Sequence, residues 1–177
     1  MILIGIGSNL ETPPYESPRE VAEAALTALS ARGVVIAQRS SWYLSEPVPR
    51  SDQPWFVNGV ASVATRLDAP ALLAELLALE GEFARVRAER NAARTLDLDL
   101  LGYYALVCDT PALTLPHPRL HERRFVLAPL CEIAPDWRHP MFGVTAAEMM
   151  ARLPESQPIR RFGEQAAARH GDAHHCG

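Results

Sequence analysis

Two stretches with a helical hydrophobic period separate four that read as strands, and this succession is what most limits the fold. ILIGIGSN (2–9) is a short apolar strand that runs into Gly7-Ser8-Asn9, a turn signal. SPREVAEAALTALSARG (17–33) predicts a helix: Ser17 and Glu20 have capping-box spacing, Pro18 suits the first helical position and Gly33 suits a stop. VVIAQRSSWYLS (34–45) predicts a second strand, and WFVNGVASVATRL (55–67) a third with period-two alternation; between them SEPVPRSDQP is a proline-rich loop. Asp68 caps a second helix over 69–87, with Leu72, Leu73, Leu76, Leu77 and Leu79 mainly on one face. RTLDLDLLGYY (94–104) is the fourth strand. The order β-α-β-β-α-β predicts an α+β fold with a ferredoxin-like core: an antiparallel sheet with both helices packed on one face.

The rest of the chain is less regular. ALVCD (105–109) is expected to extend the sheet edge. LPHPRLHERRFVLAPLCEIAPDW (115–137) reads as a loop and then a short helix bounded by prolines, and VTAAEMMARL (144–153) as another short helix. Residues 1–162 are expected to form a single domain, and the small, polar stretch 163–177 a flexible tail. That tail ends in His174, His175 and Cys176, read as an incidental cluster rather than a metal site.

The 177 residues are enough for one domain with its own core. A net charge of -4 argues against a dedicated nucleic-acid binder. No apolar run approaches the roughly 20 residues of a membrane span, and the N-terminus lacks the basic region of a signal peptide. Three widely spaced cysteines, Cys108, Cys131 and Cys176, fit reduced thiols and a cytoplasmic protein.

The fourth strand contains an apparent contradiction. Leu96, Leu98 and Leu100 point to the core, while Asp97 and Asp99 share the opposite face about 6 to 7 Å apart. Two carboxylates so close repel, and burying one alone is costly. A solvated strand face would explain them. So would a divalent cation, since Mg²⁺ is typically held by one or two carboxylates together with waters and substrate phosphates. Arg85, Arg87, Arg90 and Arg94 stand just upstream. As a solvated helix end they would complement the dipole; beside D-x-D they resemble cations for a polyphosphate, which the planar guanidinium suits. The chain has no lysine and no G-x-x-x-x-G-K-[ST] loop, so any side-chain cation on phosphate is Arg or protonated His.

GIGSNL, QPWFVNGV, RTLDLDLL and LPHPRLHERRFVLAPLCEIAP, in this order, resemble the 6-hydroxymethyl-7,8-dihydropterin pyrophosphokinase family over about residues 2 to 160. The resemblance implies transfer of the pyrophosphoryl group of ATP to the hydroxymethyl oxygen of the reduced pterin, in folate synthesis, with AMP as the other product. It implies two Mg²⁺ ions on Asp97 and Asp99, and Arg85 and Arg94 steadying phosphate charge. Glu80, Arg87, Thr114, His117 and Arg123 match positions near the nucleotide. The pterin is expected between Phe56 and Phe125, with Asn58 on its polar edge and groups near Ser45 and Val48 completing that edge. A flat ring rich in donors and acceptors suits two aromatics and an amide; core packing would also account for the phenylalanines, and an exposed loop for His117.

The match departs from the family in two places. Asn91-Ala92-Ala93 stands where many relatives carry Trp-Gly-Pro, and Pro118 where an aromatic is often found. The segment 81–94 is expected to be a mobile loop that closes with less apolar cover. The partners implied are ATP and the pterin, with no nucleic acid and no membrane, on a monomer. The rivals are another two-metal phosphoryl or nucleotidyl enzyme, a nucleotide-binding domain without turnover, and a ferredoxin-like RNA-binding module, whose aromatic RNP-type run is not found.

Overall fold

The protein is described by a computed structural model covering residues 1–11, 13–47, 49–85 and 95–163. Its elements run β1 (Ile2–Ser8), α1 (Pro18–Ala31), β2 (Val35–Arg39), β3 (Tyr43–Ser45), β4 (Phe56–Ala64), α2 (Ala69–Arg85), β5 (Asp97–Tyr103), β6 (Cys108–Asp109), β7 (Thr114–Leu115), α3 (Arg124–Ile133), α4 (Ala146–Arg152) and β8 (Ile159–Arg161). The main sheet has the order β5-β1-β4-β3-β8, with β2 also paired to β4, and every pairing is antiparallel. The ferredoxin-like expectation holds.

Local signals account for the helix ends. The Ser17 hydroxyl accepts from the Glu20 N–H at 3.3 Å, Pro18 opens α1, and Gly33 follows it at φ +79°, a conformation costly for any residue with a Cβ. Glu20 reaches back to the Glu16 N–H at 2.8 Å rather than to Ser17. Asp68 accepts from the Ala71 N–H at 2.9 Å. Thr145 and Glu148 form a full capping box on α4.

Strand alternation divides the core in two. Ile2, Ile4, Ile6, Val57, Ala61, Val63, Leu98 and Leu100 pack under α1 and α2. Leu3, Val60 and Leu101 face the other way, against Leu127 and Leu130 of α3 and Met149 of α4. A register shift between Leu3 and Ile4 leaves Leu101 as an extra residue on β5. This bulge lets Leu101 and Gly102 face α3 while Tyr103 returns to the α1/α2 side.

Several expectations need correction. The second predicted strand is two short ones, β2 and β3; the chain breaks between them, where Ser40 turns its hydroxyl onto the Ser41 carbonyl and the Val60 N–H. Residues 105–109 do not extend the sheet, because β6 pairs with β7 as a separate hairpin. Gly7 and Ser8 lie within β1 rather than in a turn. Edge strand β8, which sequence did not suggest, is held to β3 partly through Glu132 of α3. That carboxylate accepts from the Ser41 N–H (3.0 Å), the Tyr43 hydroxyl (2.9 Å) and Arg161 (3.0 Å). The tail 164–177 lies outside the described residues.

Candidate active site

The site lies on the α3 face of the sheet, where packing stops short of the strand ends. Central strand β1 contributes Gly5 and Gly7 there. Gly7 pairs with Asn58 of β4 on one side and Asp97 of β5 on the other; Gly5 pairs with Val60 and Asp99. A Cβ built on Gly7 would stand 3.4 Å from Asn58 Oδ1 and 3.9 Å from the Asp97 Cβ. Gly7 therefore keeps the floor bare between the amide and Asp97, while at Gly5 a Cβ would meet the Leu101 side chain at 3.5 Å. Sequence reading took Gly7 for part of a turn and passed over Gly5, although glycine at alternate positions of one strand signals close approach by another group.

Above this floor is a cleft of about 290 Å³ that brings together eight of the predicted residues: Ser45, Phe56, Asn58, Asp97, Asp99, His117, Arg123 and Phe125. Asp97 and Asp99 are half-buried and face it, with Leu98 turned into the core between them. Phe56 opens β4, while Phe125 and Arg123 come from the start of α3. The Arg123 guanidinium lies 5.4 Å from the Phe125 ring centre and 4.0 Å from an Asp99 oxygen. Burial first, and then neighbouring Arg119, pulls Arg123 below its ordinary value, while Asp99 holds it up. It remains a cation at any pH of interest.

A second groove, about 330 Å³, adjoins the first and shares Asp99 and His117 with it. Glu80 and Thr114 line it, together with Leu73, Leu77 and the 110–113 turn. Glu80 Oε1 accepts from the Leu98 N–H at 2.5 Å, so α2 grips the strand between the two aspartates. Thr114 donates to Asp109 at 3.1 Å across the β6–β7 hairpin. His117 Nδ1 accepts from the Arg119 N–H at 3.1 Å, which leaves Nε2 to carry the proton. Burial pulls its imidazole below the ordinary value, against Asp99 and helped by Arg123 and Arg119. The sequence reading did not find Glu46, which lines the first cleft and pairs with Arg50 at 3.3 Å.

The remaining predicted positions are not assembled here. Val48, Arg87 and Arg94 lie outside the described residues, as does most of the expected 81–94 loop. Arg85 ends α2, and its side chain is likewise outside them.

The arrangement suits phosphate and metal chemistry. Two hard carboxylate donors share one strand face, an arginine stands beside them, and a bare floor admits a ligand. Among the described residues no three His, Cys, Asp or Glu side chains converge to hold a metal by themselves. A cation here would draw its remaining ligands from water and substrate, as Mg²⁺ characteristically does.

The chain is similar to proteins of one known family. The model of one family, described as 7,8-dihydro-6-hydroxymethylpterin-pyrophosphokinase (HPPK), matches residues 3–135. The 2-amino-4-hydroxy-6-hydroxymethyldihydropteridine pyrophosphokinase of Synechocystis sp. is 38% identical over 151 residues, covering 85% of this chain and 75% of that one. The protein of the same name from Pseudomonas aeruginosa is 41% identical over 157 residues, covering 86% and 91%. A crystal structure of Plasmodium falciparum HPPK-DHPS matches with a TM-score of 0.68 over 85% of this chain. At 13% identity that likeness concerns the fold, and this chain spans 44% of the solved one.

Proposed function

The chain belongs to the 7,8-dihydro-6-hydroxymethylpterin-pyrophosphokinase family, and from that premise we propose how its residues serve the reaction. It is an ATP-dependent diphosphokinase of folate synthesis, transferring the pyrophosphoryl group of ATP to the hydroxymethyl group of 6-hydroxymethyl-7,8-dihydropterin and releasing AMP. The observation that carries our assignment of roles is the meeting of two hollows at Asp99 and His117. One is walled by two phenylalanines and an amide; the other adjoins the D-x-D strand.

In this reading the pterin lies between Phe56 and Phe125, with its polar edge toward Asn58, Ser45 and the chain near Val48. ATP occupies the second groove, near Glu80, Thr114 and His117, with its phosphates over Asp99, and the family pattern assigns Arg87 to the same nucleotide. The hydroxymethyl oxygen and the β-phosphorus then meet above Gly5 and Gly7. Such transfer asks a protein mainly for positioning and charge stabilisation. Arg123 supplies a fixed cation beside Asp99, and Arg85 and Arg94 further ones. Glu80 keeps the aspartate strand in register through the Leu98 N–H. Asp97 and Asp99 would hold Mg²⁺, two ions in the family pattern, which would neutralise phosphate charge and make the β-phosphorus more electrophilic. We take the enzyme to work as a monomer. Following the family pattern, we place the enzyme in the cytoplasm, as one domain over 1–162, where the free thiols of Cys108 and Cys131 would stay reduced.

The test is AMP release from ATP and Mg²⁺, with and without the pterin, for the wild type and Asp97→Ala. Pterin-dependent AMP that disappears in the variant supports the assignment. ADP in its place, or full activity in the variant, overturns it.

A further inference from the structure

We infer that Ser45 is a positioning residue for the pterin, its hydroxyl holding the Asn58 amide so that Oδ1 faces the cleft. This rests on the reading of the Phe56–Asn58–Phe125 slot given above, and adds what the slot selects.

Asn58 is 5% exposed as a residue, and its Nδ2 donates twice: to the Ser45 hydroxyl at 2.9 Å and to the Phe56 carbonyl at 3.3 Å. The carbonyl can only accept, so the NH₂ end must lie on that side and the oxygen on the other. That oxygen takes no hydrogen bond from any described residue, and it stands over Gly7, where even a Cβ would come within 3.4 Å. It is an oriented acceptor facing a bare floor. Ser45 is itself well fixed. It pairs with Phe56 on one side and Ile159 on the other, which makes it the diagonal cross-strand neighbour of Asn58, and it is 5% exposed. Its contact is the shorter of the two.

A pterin presents adjacent donors, the ring N3–H and the 2-amino group. A fixed acceptor favours that edge and penalises a ring with a carbonyl in place of the amino group. Without the Ser45 hydroxyl, only the longer contact to the Phe56 carbonyl resists rotation of the amide. Both binding and discrimination should then weaken.

The experiment compares wild type, Ser45→Ala, Ser45→Thr and Phe56→Ala. It measures KM for the pterin and for ATP, kcat, and inhibition by the analogue that carries a carbonyl at position 2. We expect Ser45→Ala to raise the pterin KM about tenfold, the worth of one oriented hydrogen bond. The ATP KM and kcat should stay within about twofold, and selection against the 2-oxo analogue should narrow. Ser45→Thr, which keeps the hydroxyl, should restore wild-type behaviour. If Phe56→Ala raises the pterin KM and Ser45→Ala does not, the positioning role is wrong while the slot stands. If neither moves it, the slot reading fails and takes the inference with it. A Ser45→Ala defect in kcat or in both KM values, without rescue by threonine, makes Ser45 merely structural and also overturns the inference.

Discussion

The two faces of the central sheet are built from the same strands and have opposite characters. Under α1 and α2, strands β1, β4 and β5 present Ile2, Ile4, Ile6, Val57, Ala61, Val63, Leu98 and Leu100, a continuous apolar layer. Toward α3 they begin alike, with Leu3, Val60 and Leu101. Then Gly5, Gly7, Asn58, Asp97 and Asp99 take over and the layer opens into a cleft. Adjacent residues, about 3.3 Å of rise apart along a strand, thus divide stability from chemistry at the first cleft, although Leu98 and Leu100 also line the second groove. Each side should be alterable with limited cost to the other.

The largest effect is expected on the open face. Asp99→Asn removes a carboxylate beside Arg123, and should lower kcat for AMP release by about a thousandfold, the scale of a lost electrostatic contact to the reacting group. Its urea midpoint should stay near wild type; a large drop in stability would mean that the faces are not separable. Next, Leu98→Ala, one residue away, should cost about 3 kcal/mol in urea unfolding, as for other leucines emptied from a packed core. The folded fraction should keep a pterin KM close to wild type. Gly7→Ala should be smaller again. The added methyl fits at 3.4 Å from Asn58 Oδ1 without forcing the backbone, so stability should hold while the pterin KM rises roughly fivefold, an effect of about 1 kcal/mol. An unchanged KM would remove Gly7 from the floor of the slot.

The smallest effect concerns the rim of the α3 face. His139 is 2% exposed and stacks on Phe142 at 4.2 Å. Burial first, and then His121, depress its imidazole below the ordinary 6.5. The folded state therefore prefers the neutral ring, whereas the unfolded chain takes up a proton near the ordinary value. The stability this ring contributes is complete above about pH 6.5 and declines as the pH falls toward the lower folded value. Urea midpoints should drop between about pH 7.5 and about pH 5.5, and His139→Gln should flatten that difference. Equal slopes in the two proteins would refute it.

Much of the fold was legible because period and punctuation agree. Ser17, Pro18 and Gly33 bound α1 as read, and the alternation in 55–67 marks β4. Other features depend on distant partners. The break between β2 and β3 follows from Ser40 bonding the Val60 N–H. The three-residue strand β8 exists through pairing with β3, with Glu132 and Arg161 fastening it. Of the candidate site, the paired aspartates could be read from strand parity, since i and i+2 share a face whatever surrounds them. Phe56 and Phe125 could not be told from core phenylalanines by residue type, because burial and ligand stacking call for the same side chain.

From sequence alone came the β-α-β-β-α-β order of the core, the side of the strand on which Asp97 and Asp99 lie, and, through four ordered motifs, the family. These are local or cumulative properties of the chain. Tertiary structure alone decided that Gly5 and Gly7 floor the cleft, that Arg123 stands by Asp99, and that the Asn58 oxygen faces the open side. Each of these depends on strand register and on where α3 begins relative to the sheet. Register is set by packing summed over the whole molecule, and no short window of residues contains it.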